Sequence, residues 1–179
     1  MAVDPTRLEE IPSDALSPAQ ALVVLKLMGD RGRVPTPFKV WLHSPVLADR
    51  LHDLGSFLAN GTSLSLREAK ITILVMAAHW HAEYVFKMQA REAREAGLPE
   101  AAIDAIAGGD EQTAGLHLAD ARERAVYQVV HAFTRAAPIS DAVFADAVNQ
   151  LGHPGVAEML AFCGYFTSVA LAMRLYRVS

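Results

Sequence analysis

Apolar positions in this chain recur at helical spacing, and nowhere do polar and apolar residues alternate as in a strand. Ser17-Pro18 reads as an N-cap followed by proline at the first helical position, opening SPAQALVVLKLM. Gly29 to Pro37 reads as a loop, leading to a short turn around Phe38 and Trp41. Ser44-Pro45 repeats the cap signal and starts a helix to about Leu58, with Val46, Leu47, Leu51, Leu54 and Leu58 on one side. The strongest pattern comes next. Ser65 and Glu68 form a capping-box signature, and Ile71, Leu74, Val75 and Ala78 then mark a buried helical face. That helix ends in the polar group His79, Trp80, His81, Glu83 and Tyr84, and a charged helix follows until Gly97 and Pro99 stop it. Pro99 to Ala107 is predicted as a short helix and Gly108 to Gly115 as a polar loop. Leu118 to Ala136 carries Ala125, Val126, Val129, Val130 and Phe133 on one face. SDAVFADAVNQL forms a further helix closed by Gly152, and His153-Pro154 leads into the last one. The expectation is an all-α chain, with residues 1–16 as an N-terminal arm and 17–179 as a single helical domain.

Composition narrows the class. The chain is 52% hydrophobic with a mean hydropathy of +0.20. One subunit covers so much apolar surface poorly, so a homo-oligomer is expected. Sixteen basic against twenty acidic residues give −4, without a basic cluster, which argues against nucleic acid. The acidic start MAVDPTRLEEIPSD does not read as a signal peptide. A single cysteine excludes an internal disulfide framework and fits a cytoplasmic protein. The run GVAEMLAFCGYFTSVALAMRLY could pass for a membrane span. Yet Glu158 and Arg174 bracket only fifteen residues, short of the roughly twenty a bilayer requires. With Gly164, Thr167 and Ser168 inside it, a core or interface helix is expected and no membrane partner.

The order of elements, and above all LSLREAKITILVMAAHWHAEYVFKMQAREAREAGLPEAAIDAI, resembles the carboxymuconolactone decarboxylase family, whose superfamily includes the alkylhydroperoxidase D proteins. The likeness is strongest from Leu64 to Ile106 and extends more weakly over most of the chain. It implies an alkylhydroperoxidase D-like helical fold with a central antiparallel helix pair, assembled into dimers, trimers or hexamers. The family motif is a glutamate, eleven residues, a cysteine, two residues, a second cysteine, three residues and a histidine. Laid on this sequence, those positions fall on Lys70, Ala82, Val85 and Gln89. None is retained. Ala82-Glu83-Tyr84 matches the decarboxylase branch, and His79 and His81 supply imidazoles just upstream, so the chain looks like a divergent member with a rebuilt site.

Each candidate residue has a plain alternative. Peroxidase chemistry needs a low-pKa thiolate and a resolving thiol; Cys163 stands alone in an apolar run and reads as structural. His79, His81 and Glu83 have the composition of a metal set, but on one continuous helix the two histidines lie about 200° apart. A break there, as in cysteine-bearing relatives, would let them converge; no metal site is assigned. Glu83 can be a catalytic carboxylate or simply complement the dipole of the second helix. Lys70 can snorkel along apolar surface or meet an anionic substrate. Gln89 can orient a ligand but not titrate. Tyr84, Trp80 and His43 are expected to line the same pocket, whereas His131 reads as a core or surface group.

The reading is a cofactor-independent lyase or isomerase acting on a small carboxylated compound, lactone or aromatic-derived, as in aromatic catabolism. Its expected catalytic residues are His79, His81 and Glu83, since imidazole transfers protons near neutral pH. Lys70, Tyr84, Gln89, Trp80 and His43 are the expected substrate contacts. A non-catalytic small-molecule-binding or assembly protein on the same fold is the alternative, and an alkylhydroperoxidase-like redox protein the third reading.

Overall fold

The capping box predicted at Ser65 forms: its Oγ accepts from Glu68 N at 3.2 Å, and the Glu68 carboxylate accepts from Ser65 N at 2.8 Å. In the computed structural model, which describes residues 6–118, 120–136 and 138–178 (the side chains of 111–113 excepted), this helix anchors the larger of two compact units. That unit runs from Thr62 to Leu171, and the other joins residues up to Gly61 with those from Ala172 on. Among the described residues the chain is helical, without strands.

The smaller unit contains α1 (Pro18–Arg31), α2 (Thr36–Trp41) and α3 (Pro45–Asn60). Ser17 caps α1 as expected, but the helix runs past Gly29 and closes at Gly32, a left-handed residue at φ 66°. Leu27, Phe38, Ala48 and His52 fill the interior, and Phe38 meets Trp41 edge-to-face at 5.0 Å. Thr6 and Arg7, in the expected N-terminal arm, hydrogen-bond to Tyr176 O at 3.0 and 2.9 Å. Residues 1–5 of that arm lie outside the described residues.

The larger unit is built around α4 (Leu66–His79), which packs against α5 (Glu83–Glu95), α6 (Glu100–Gly108) and α8 (Ala121–Thr134). α4 is buried on most sides, from Glu68 through Ala77, which explains why its apolar residues exceed one stripe. Lys70 in α4 pairs with Glu92 near the far end of α5, so α4 and α5 run antiparallel. α4 and α8 run parallel and are crossed-linked at their starts. Arg67 Nη2 donates to Glu123 at 3.0 Å, and Arg122 Nε donates to Glu68 at 2.7 Å.

One prediction in this unit fails. Gly108 to Gly115, expected as a polar loop, contains most of α7 (Glu111–His117). Asp110 O accepts from Ala114 N at 2.9 Å, and buried Ala114 and Leu118 anchor the segment. Burial of that kind outweighs the roughly 1 kcal/mol that one helical glycine costs.

The last element, α9 (Asp141–Leu175), is two helices joined at Gly152, as the sequence suggested. Gly152 sits at φ 68° and ψ 167°, which only glycine adopts readily, and Pro154 restarts the helix. By length and apolar character α9 could cross a membrane; within its second half Met159, Phe162, Val169 and Ala170 are buried.

Candidate functional site

α4 stops where its apolar run meets the polar group. Its C-cap is Trp80, His81 follows at φ 49°, and α5 begins at Glu83. The left-handed conformation costs a non-glycine residue about 1–2 kcal/mol, and strain of this kind persists where the surroundings impose it. Here it has a geometric consequence. The break removes the angular conflict of a continuous helix, and His79 and His81 line one cavity of about 450 Å³. That is within the usual range for small-molecule sites, about 300–1,000 Å³.

The cavity lies where the C-terminal ends of three helices come together. α4 contributes Val75, Ala78 and His79; α6 contributes Ile106 and its glycine end, Gly108 and Gly109. α8 supplies Tyr127, His131, Thr134 and Arg135 from one face, at positions four, seven and eight residues apart. Val75, Ile106, Tyr127 and His131 are buried, whereas His79, His81 and Arg135 are exposed. The wall therefore combines buried residues with exposed basic ones. Tyr127 and His131 stack, ring centroids 5.4 Å apart and 21° from parallel. Thr134 Oγ1 donates to His131 O at 2.7 Å, tightening the last turn of α8. Among the described residues no carboxylate lines the cavity, although the chain as a whole is acidic. Basic groups at helix C-termini also complement the dipoles that end here. Among the described residues no three His, Cys, Asp or Glu groups are arranged as metal ligands.

The other expected site residues lie elsewhere. Trp80 contacts His79 edge-to-face at 4.9 Å and donates from Nε1 to Thr167 Oγ1 at 3.2 Å, so it holds the turn rather than lining the cavity. Glu83 is 78% exposed, 3.9 Å from Lys87 one turn on, in the first turn of α5 where its charge suits the dipole. Tyr84 is half-buried and, like Glu83, is absent from the cavity wall. His43 is an exposed residue of the smaller unit, in the turn between α2 and α3. Lys70 and Gln89 do come together: Lys70 Nζ donates to Gln89 Oε1 at 2.8 Å, and Glu92 completes the ion pair. The ammonium is thus neutralised within the α4–α5 pair, and neither residue lines the cavity. Burial pushes the Cys163 thiol up to about 12, which keeps it protonated and poorly nucleophilic.

The sequence does not single out Tyr127 or Arg135, and His131 reads there as a core or surface group; all three line the cavity, and His131 is buried. Their shared helical face was the available signal.

No family model matches the sequence, and no curated protein sequence does. Among solved structures, the chain is similar to one described as an uncharacterized peroxidase-related protein from Silicibacter sp. TM1040, with a TM-score of 0.76 over 98% of this chain and 92% of that one, at 17% identity. The likeness establishes the fold. It is an all-α arrangement, with the antiparallel pair α4 and α5 at the centre of the larger unit. At that identity the activity of the neighbour does not transfer.

Proposed function

We propose that this chain is a cofactor-independent enzyme of the lyase or isomerase kind, acting on a small carboxylated compound bound where α4, α6 and α8 end. The observation that carries the reading is a cavity of small-molecule size whose described wall residues include three imidazoles and a guanidinium and no carboxylate. Arg135 seats the anion through charge-assisted hydrogen bonds, and an imidazole transfers a proton, for which its chemistry is suited near neutral pH. In a decarboxylation, the carbon–carbon bond to the leaving carboxylate breaks, its electron pair passes into an adjacent enolate, and the carbon then takes a proton from the imidazolium. In an isomerisation, the same imidazole removes a proton from one carbon and returns it to another. Neither needs an electron donor or acceptor.

A non-catalytic binder is the second reading. It is favoured by the positions that carry the family motif, since Lys70, Ala82, Val85 and Gln89 are occupied by packing and an internal ion pair.

The test is to incubate the protein with small oxo acids and lactone carboxylates in D2O. NMR then follows loss of the carboxyl group, movement of a double bond, or deuterium entering a carbon position. Turnover that disappears in Arg135→Gln is expected. Saturable binding of these acids without any of the three changes would leave the binder.

A further inference from the structure

α1 is apolar on both of its faces. Val23 and Leu27 are buried. On the opposite side Pro18, Leu22, Leu25 and Gly29 follow one another at spacings of four, three and four residues, and all are exposed. The outward side of a surface helix is ordinarily charged or polar. We propose that this seam docks on the same seam of a second copy of the chain, the two α1 helices lying antiparallel about a two-fold axis midway between Leu22 and Leu25. The pairing is independent of the cavity.

Three observations support it. The first is exposure. Leu22 and Leu25 are 68% and 70% exposed, and Met28 beside them is 46% exposed. Single exposed leucines are ordinary, but these share one helical stripe that contains no polar residue. The second is charge. Every charged side chain of α1 is engaged by its own chain. Lys26 Nζ donates to Asp49 at 2.8 Å and also pairs with Asp53. Asp30 pairs with His52 at 2.8 Å, and the Arg31 guanidinium lies 5.9 Å from the centre of the Phe38 ring. The seam therefore offers nothing to a charged partner, whereas a second copy of it brings an uncharged surface and leaves no buried charge unpaired. The third is Gly29. Glycine inside a helix weakens it, and a side chain built at Gly29 would meet nothing of this chain. The fold of one chain does not call for a glycine there; close approach by an outside helix does.

The register follows from the spacing. Alternating steps of four and three residues keep a seam on one side of a helix, as in a coiled coil, and identical chains commonly pair about a two-fold axis. In the antiparallel arrangement Leu22 meets the partner's Leu25 and Leu25 meets the partner's Leu22. The Pro18 ring then lies opposite the partner's Gly29, where there is room for it. A parallel pair would set proline against proline at one end and glycine against glycine at the other, and it would align the helix dipoles instead of opposing them. A helix of 14 residues is about 21 Å long, and such a seam is about 10 Å wide. Two copies thus cover roughly 400 Å², short of the roughly 1,000 Å² of a permanent interface. The pairing is reversible and depends on concentration.

The test is sedimentation of the whole protein over about 1–100 µM. The mean mass should climb from the 19.3 kDa of one chain towards twice that. Leu25→Glu puts a carboxylate into the seam at an exposed position, so the chain still folds, and it should weaken association by at least about tenfold. Val46→Glu, at a position 73% exposed on α3, should leave association unchanged. Mild oxidation of a mixture of Leu22→Cys and Leu25→Cys chains should link them in pairs, which neither variant does alone; Cys163 is buried, and wild type is the control for it. A mass of one chain at every concentration, association that persists in Leu25→Glu, an equal loss in Val46→Glu, or single variants that cross-link as well as the mixture would each overturn the proposal.

Discussion

Glu68 ties the start of α4 to the start of α8, and its removal has a calculable cost. Its carboxylate is 3% exposed on the side chain and serves two structures. It accepts from Ser65 N at 2.8 Å, closing the capping box, and from Arg122 Nε at 2.7 Å. Arg122 in turn donates to Gln150 O at 2.6 Å, and its hydrogen bond to Glu68 holds the guanidinium above its ordinary pKa. Loss of the reciprocal arm of a capping box costs about 1 kcal/mol. Breaking a buried ion pair costs about 3–5 kcal/mol. Arg122, however, is 38% exposed and regains water once its partner is gone, which reduces that part to about 1–2 kcal/mol. Glu68→Ala should therefore cost about 2–3 kcal/mol in total, and Glu68→Gln, which still accepts from Ser65 N, about 1 kcal/mol. With a urea slope of about 2 kcal/mol per molar, the alanine variant should unfold about 1–1.5 M earlier. A double-mutant cycle between Glu68→Gln and Arg122→Leu should show coupling above about 0.5 kcal/mol. Additive effects, or an alanine variant within about 0.3 M of wild type, would refute the reasoning.

Three further outcomes follow from other parts of the molecule. Cys163 should react with a disulfide reagent at pH 8 at least about thirtyfold more slowly in the folded than in the unfolded chain. The rise from 9 to about 12 removes about three decades of thiolate, of which higher intrinsic nucleophilicity returns about half; equal rates would show an exposed thiol, and peroxide turnover abolished by Cys163→Ser would contradict the non-redox reading. His81→Gly should not destabilise, because relief of the left-handed strain outweighs the extra freedom of the unfolded chain by about 0.5 kcal/mol. A clear loss of stability would mean the His81 side chain is structural. Light scattering should give a mass above the 19.3 kDa of one chain, since Leu22, Leu25 and Met28 leave an apolar stripe exposed on α1, and Leu160 and Leu171 do so on α9; a mass of one chain at micromolar concentration would exclude self-association through these faces.

The fold was legible in the sequence because its signals are local. Ser17, Ser65 and Gly152 set helix ends by capping and by backbone freedom, and Ile71, Leu74 and Val75 set a buried face by spacing alone. α7 was not legible, since its glycine and polar residues argue for a loop, and only the burial of Ala114 and Leu118 in the assembled unit argues otherwise. The site was half legible. His79 and His81 stand beside an apolar helix end, where a pocket wall is expected. His131 and Arg135 enter that wall from a helix more than fifty residues away, and no local pattern announces the meeting of α4 and α8. Lys70 misled for a related reason: its charge is visible in the sequence, but the carboxylate of Glu92 that cancels it is identified only once α4 and α5 lie antiparallel.

The affinity of benzoate for wild type, Arg135→Gln and Lys70→Met, measured by calorimetry in one buffer, tests most directly whether this cavity is the functional site. We predict that Arg135→Gln weakens binding by at least about tenfold while Lys70→Met leaves it unchanged, because Arg135 lines the cavity and Lys70 does not. The opposite ranking, or equal affinity in all three proteins, would contradict the account and place the site away from the ends of α4 and α8.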